Sequence, residues 1–278
     1  TSEPAEAASR ISWVAMGMAV GPMIAPMIGG VLDASFGWRS VFWFLSGMGI
    51  VISLIVAYDW TETNTRKSRS FGEQFRNYPA LLAAPAFWAY SGAVVCGIGV
   101  FYIFISGAPL VADRALDITT AELGFAIGVI TMGFFVGNGI SGRIATSVGI
   151  GPMVLAGRVI QVAAICLNLL MLSIGISDPI TFFGLMALVG FGNGIGSPSA
   201  NAGLMSVNPA LAGSAAGLAG AMILGFGAVF TAVSARLLEV GPPALTLLLS
   251  MLFVALIGLV AGIAAYRLSS TEASAANT

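Results

Sequence analysis

Acid–base or ion-coupled chemistry inside an apolar chain needs a titratable group held away from water, so the carboxylates come first. Asp33, Asp59, Asp113, Asp117, Glu122, Asp178 and Glu239 all fall at the ends of apolar runs or between them. None sits in the middle of one. The chain has no histidine, which removes Ser-His and Cys-His pairs, HExxH metal sites and histidine proton relays together. It has no G-x-S-x-G elbow either. An intramembrane enzyme is therefore disfavoured, and the chain reads as not an enzyme. Cys96 and Cys166 lie within apolar runs and read as small buried hydrophobes, not as a disulfide or metal pair. Arg158, about one turn inside its run, is read as snorkelling to the cytoplasmic face. What remains for ligand contact is a set of uncharged polar residues inside the runs: Tyr90, Tyr102, Asn138, Gln161, Asn168, Asn193 and Asn201.

The elements that would position them are membrane-spanning helices. Hydrophobic residues make up 58% of the chain and charged residues 8%, against roughly 45–50% and 25% in soluble domains. Gly is 36 of 278 residues, as expected where helices pack on small side chains. The net charge of −1 implies no nucleic-acid partner; the partner implied is the lipid bilayer. The pattern is that of an all-α polytopic membrane protein with eight spans, at about 10–32, 39–58, 85–107, 121–145, 152–176, 179–204, 210–237 and 243–266. The third span is expected to end in Ser106-Gly107-Ala108-Pro109. Thr119 and Glu122 form a capping box for the fourth, which carries GxxxG pairs at Gly124/Gly128 and Gly133/Gly137. Residues 59–79 are the long polar interruption, with room for a short amphipathic helix at 71–77, and 268–278 reads as a disordered tail. Alternating from an inside N-terminus, the inside segments hold Arg10, Arg66, Lys67, Arg69, Arg76, Arg143, Arg158 and Arg267, and the outside ones Arg39, Arg114 and Arg236. That excess puts both termini in the cytoplasm.

The most patterned stretch is Gly17–Gly30, GMAVGPMIAPMIGG. Gly17, Gly21, Ala25 and Gly29 recur every fourth residue and make a ridge without side chains, along which a neighbouring helix can approach closely. Pro22 and Pro26 leave the carbonyls of Met18 and Pro22 without their helical donors, so the helix should be kinked and buried among others. Packing alone accounts for such a ridge. Its residue order says more: G-x-x-x-[small]-P-x-x-G-G, closing on Gly29-Gly30, then Phe36-Gly37-Trp38-Arg39 and Phe42-Trp43. This resembles the fifth-helix antiporter motif of the Major Facilitator Superfamily, and in its APxxGG form the Bcr/CflA (bicyclomycin/chloramphenicol resistance) group of multidrug:proton antiporters. Ala25 departs from the glycine usual there. Thr61-Glu62-Thr63 and Ile105-Ser106-Gly107-Ala108-Pro109 are similar to that group's helix-six and helix-seven endings. Gly142-Arg143 with Gly149 looks like a worn copy of the loop between helices eight and nine.

The resemblance implies a partial major-facilitator fold, family helices five to twelve, with the first four helices absent. Residues 1–58 would be the last two helices of the N-terminal half, 59–84 the central cytoplasmic loop and 85–267 the C-terminal half. About 100–130 residues would be missing at some 20 residues per span plus loops. It implies export of a small-molecule, drug-like substrate by alternating access, in a bacterial inner membrane, by a protein monomeric at full length. No cofactor is implied beyond the proton as coupling ion, and its carboxylate would lie in the missing part. Gly17, Gly21, Pro22, Ala25, Pro26, Gly29 and Gly30 would be the hinge. By analogy, family helices seven, eight, ten and eleven line the cavity while nine and twelve brace it. That selects Tyr90, Phe101, Tyr102, Phe104, Asn138 and Asn193 as cavity candidates, with lipid-facing or interfacial packing as the alternative for each aromatic. Gln161 and Asn168 would be interhelical glue. A metabolite exporter and a non-transporting remnant remain open alternatives.

Overall fold

The computed structural model describes residues 28–29, 32, 35–59, 78–208 and 211–276. Seven helices long and apolar enough to cross a membrane lie among them. They are α1 (Arg39–Asp59), α2 (Pro85–Val111), α3 (Thr120–Val148), α4 (Ile150–Ser173), α5 (Pro179–Ser206), α6 (Ala212–Val240) and α7 (Pro243–Ala276). Most of the first expected span and of the polar linker, including the amphipathic helix at 71–77, lies outside the described residues. Gly37, with φ of +77°, makes the turn before α1, and Ser40 N–H donates to its carbonyl at 3.0 Å. The apolar side chains of α1, such as Phe42 and Trp43, are exposed.

Helix starts follow the local chemistry. Pro85, Pro179 and Pro243 stand at first-turn positions, where a missing N–H costs nothing. Thr119 accepts from the backbone N–H of Glu122 at 3.3 Å, and Glu122 Oε2 accepts from Thr119 N–H at 2.7 Å, which completes the capping box. Asp178 caps α5 by accepting from Thr181 N–H at 2.9 Å.

Two ends differ from expectation. Pro109 does not end α2. The helix runs through it to Val111 and widens into a π turn at Ala112–Leu116, closed by Asp117 in the left-handed region. Gly107 there receives the side chains of Leu238 and Leu247. At the other end of the chain, α7 continues through Ala276, so the tail read as disordered is helical over its described part. No Gly or Pro interrupts it, and Ser270 and Thr271 donate back to the Arg267 carbonyl at 2.8 and 2.9 Å.

Packing is organised by α5, which carries glycine at every second position from Gly190 to Gly196. Two residues turn a helix by roughly 200°, so alternate glycines face opposite sides. Gly190 and Gly194 lie against Ile130 and Phe134 of α3, and Gly192 and Gly196 lie against Gly157 and Val154 of α4. The Gly133/Gly137 pair of α3 answers with contacts to the carbonyls of Ala187 and Phe191. Gly124 and Gly128, the other pair of α3, have open space where a Cβ would stand among the described residues, so that GxxxG repeat does not mediate packing there. α6 reaches the bundle through α2: Gly227 receives the ring of Tyr102, and Gly99 that of Phe230.

The apolar core falls into two clusters. One joins the C-terminal half of α2 with the N-terminal halves of α5 and α7, around Phe104, Phe183, Met186 and Leu247. The other joins the N-terminal half of α2 with the C-terminal end of α5 and the start of α6, around Phe87, Tyr90, Leu204 and Ala215. Between them lies a polar layer.

Candidate functional site

Arg158 lies at the centre of that layer and is fully buried. At 1.5 Å per residue it stands about 12 Å along α4. Its side chain stays inside the bundle and does not reach out to a membrane face, so the snorkelling reading is corrected. Four glycines make room for it: Gly97 of α2, Gly196 of α5, and Gly258 and Gly262 of α7 all abut its side chain. The guanidinium Nη1 donates to Gln161 Oε1 at 2.8 Å. Nη2 donates to Asn193 Oδ1 at 3.0 Å and to Ser197 Oγ at 3.3 Å. Ser197 Oγ in turn donates to Asn193 Oδ1 at 2.7 Å, and Gln161 Nε2 donates to the Gly97 carbonyl at 3.3 Å. Nε has no partner among the described residues. No carboxylate among them bonds the guanidinium; its acceptors are neutral amide and hydroxyl oxygens. A buried charge held only by neutral groups keeps its field.

Beside this layer is a cavity of about 220 Å³. Phe101, Tyr102 and Phe104 of α2 line it, as does Asn193 of α5. Phe134 and Thr131 of α3 and Gln161 of α4 complete the wall that matters chemically. Four of the six expected cavity residues therefore come together here. Tyr90 does not line it; its ring packs on Gly203 in the other apolar cluster. Asn138 does not line it either, and donates to Phe134 O of its own helix at 3.1 Å. Asn201 behaves likewise towards Ser197 O.

The helices around the cavity also differ from the analogy. α4, expected only to brace, supplies Gln161, α7 supplies Met251, and none of the lining residues comes from α6. Gln161 is thus both interhelical glue and cavity wall. Asn168 is glue alone, donating to the Phe182 carbonyl at 2.9 Å. Thr131 spends its hydroxyl proton on Ile127 O at 3.0 Å and presents lone pairs. Of the seven residues read as the hinge in Gly17–Gly30, only Gly29 is described, with nothing among the described residues within 4 Å of a Cβ built there. Gly17, Gly21, Pro22, Ala25, Pro26 and Gly30 lie outside the described residues.

Residue 158 was visible in the sequence as the cation deepest in a span. The signal that it stays inside is the set of amides and hydroxyls at 161, 193 and 197, one turn apart on α4 and on α5. Pairing the two helices needed the structure.

Residues 1–232 match the family described as Major Facilitator Superfamily. Over 248 residues the chain is 27% identical to "Multidrug resistance protein D" of Escherichia coli (strain K12), covering 85% of this chain and 59% of that protein. It is 23% identical over 232 residues to "Bicyclomycin resistance protein homolog" of Haemophilus influenzae, 82% of this chain and 58% of that one. A shorter match of 112 residues, 40% of this chain and 25% of the relative, is 32% identical to "Chloramphenicol resistance protein" of Pseudomonas aeruginosa. The chain spans less than two thirds of the length of each of these relatives.

Proposed function

Because the chain belongs to the Major Facilitator Superfamily, within its drug-resistance relatives, we propose that it is the larger part of a secondary transporter that exports small amphiphilic drugs or antibiotics in exchange for protons. The observation that carries this is the cavity between α2, α3 and α5: an aromatic wall with a few convergent polar groups, at the depth where alternating-access proteins hold substrate. Seven apolar helices make it a multi-pass membrane protein. The excess of Lys and Arg on one side of the alternation supports cytoplasmic termini in a bacterial inner membrane.

In this reading the chain supplies the C-terminal six-helix half, 85–267, with 1–58 from the other half and 59–84 as the central loop. The Gly17–Gly30 stretch is the hinge, the coupling carboxylate belongs to helices other than these, and the proton is the coupling ion. The full-length protein works as a monomer without a cofactor. Proteoliposome uptake tests it. A chain carrying both six-helix halves accumulates a neutral aromatic amide probe under an imposed pH gradient, an uncoupler abolishes the uptake, and these 278 residues alone do not transport. Uptake indifferent to the uncoupler would remove proton exchange, and uncoupler-sensitive uptake by the 278 residues alone would remove the need for the other half.

A further inference from the structure

We infer that the cavity discriminates by charge, accepting anionic and neutral acceptor-bearing ligands and turning away cations, because Arg158 both charges its floor and fixes which end of each amide faces it. This deepens the preceding reading and rests on the cavity being the substrate site. A guanidinium has donors only. It therefore holds Gln161 and Asn193 by their oxygens, at 2.8 and 3.0 Å. The nitrogen of Gln161 is then spent on the Gly97 carbonyl. The nitrogen of Asn193, a residue that borders the cavity, is left as a donor for a ligand. So the polar corner at Asn193 shows an amide N–H₂ with a positive charge behind it, and Thr131, elsewhere in the lining, presents lone pairs. A carbonyl or carboxylate oxygen completes that corner. An ammonium group finds the two amide oxygens already engaged by the guanidinium, with the Thr131 hydroxyl left to accept from it.

Among the described residues no carboxylate bonds the guanidinium, whose hydrogen-bond partners there are all neutral. A ligand oxygen bonded to Asn193 Nδ2 would stand about 8 Å from the guanidinium, where a unit charge at an effective dielectric near 20 changes Kd by roughly thirtyfold. Salt and lipid headgroups do little to screen a group at this depth. The space suits a molecule of one or two aromatic rings.

The test is equilibrium binding of three matched probes to the full chain in phosphatidylcholine nanodiscs, with empty nanodiscs subtracted: biphenyl-4-carboxamide, biphenyl-4-carboxylate and biphenyl-4-yl-trimethylammonium. Desolvation penalises the small carboxylate more than the trimethylammonium, and the aromatic wall favours the cation, so a preference for the carboxylate must come from the protein's positive charge. The wild type should bind the carboxylate at least about thirtyfold more tightly than the trimethylammonium. Arg158→Gln should abolish or invert that preference while carboxamide binding survives, and Arg158→Lys, which keeps the charge, should hold it above about tenfold. If Arg158→Gln does not fold, the wild-type ratio and Arg158→Lys still decide. Carboxamide binding with an ionic ratio near one, or a preference for the cation, overturns the charge selectivity and leaves the substrate cavity standing. Failure of all three probes to bind, or carboxamide binding indifferent to Asn193→Leu, overturns the cavity assignment itself.

Discussion

Replacing Gly192 by alanine tests whether the glycine run of α5 is what lets the bundle close. A Cβ built there stands 2.7 Å from the Gly157 carbonyl oxygen and 2.8 Å from the Gln161 nitrogen, both backbone atoms of α4. Neither can swing aside as a side-chain end would. To regain ordinary contact the helices must part by about 0.7 Å, a gap that forfeits a quarter to a half of the dispersion along the seam. Overpacking of this kind costs about 1–3 kcal/mol, against which alanine returns roughly 0.5–1 kcal/mol of helix propensity. The control is Gly184→Ala on the same helix, where nothing lies within 4 Å; there only the propensity gain operates. Thermal unfolding in one detergent, followed by intrinsic fluorescence, should show the Tm of Gly192→Ala lowered by roughly 2–5 °C for a net loss of about 1 kcal/mol, while that of Gly184→Ala is unchanged or higher. Equal Tm values for the two variants would refute close backbone packing as the source of cohesion.

Asp178 gives a pH prediction. The Thr181 N–H bonded to its carboxylate holds the pKa below the ordinary value. A depressed folded pKa means the cap stabilises α5 fully above the unfolded value of about 3.9 and is lost as pH falls through the folded one. Asp178→Asn keeps a cap without the titration, so the Tm difference between wild type and variant should close below about pH 4; a difference constant with pH would exclude the linkage. The Arg158 network predicts strong non-additivity. Asn193→Leu leaves the guanidinium with fewer acceptors in a buried place, a loss of about 2–4 kcal/mol. Once Arg158→Gln has removed the charge, the same leucine should cost at least about 1 kcal/mol less. Additive losses in that double-mutant cycle would show that the contact carries no coupling.

Much of the fold was legible because a bilayer enforces it. Backbone groups in hydrocarbon must be satisfied within a helix, so apolar length alone locates spans. α1 and the starts of α2 and α5 follow from apolar length and first-turn proline, and the start of α3 from its capping box. The ends were harder. Pro109 is a helix breaker on local grounds, yet the chain there is pressed by Leu238 and Leu247 from two other helices and continues. Three residues past Pro109, a π turn over Ala112–Leu116 absorbs the irregularity. No periodicity within α2 carries that information, because the deciding side chains lie more than 120 residues away in sequence.

The same limit governs the site. Composition finds polar residues in spans but cannot say which face each other. Phe101, Tyr102, Phe104 and Asn193 converge because α2 carries no side chain at Gly97, where Asn193 of α5 stands against it. Tyr90 shares a helix with three of them, yet packs on Gly203 in the other cluster. Arg158 is the sharper lesson. A single basic residue near a span end is ordinarily best placed with its head in the interface, and α4 taken alone gives no reason to think otherwise. The reason comes from three other helices at once: glycines at 97, 196, 258 and 262 clear a volume, and Asn193 and Ser197 supply acceptors. A hole lined with oxygen and lacking side chains is costly to leave empty in an apolar bundle. The guanidinium fills it, and the amide ends left facing the cavity are set by that choice.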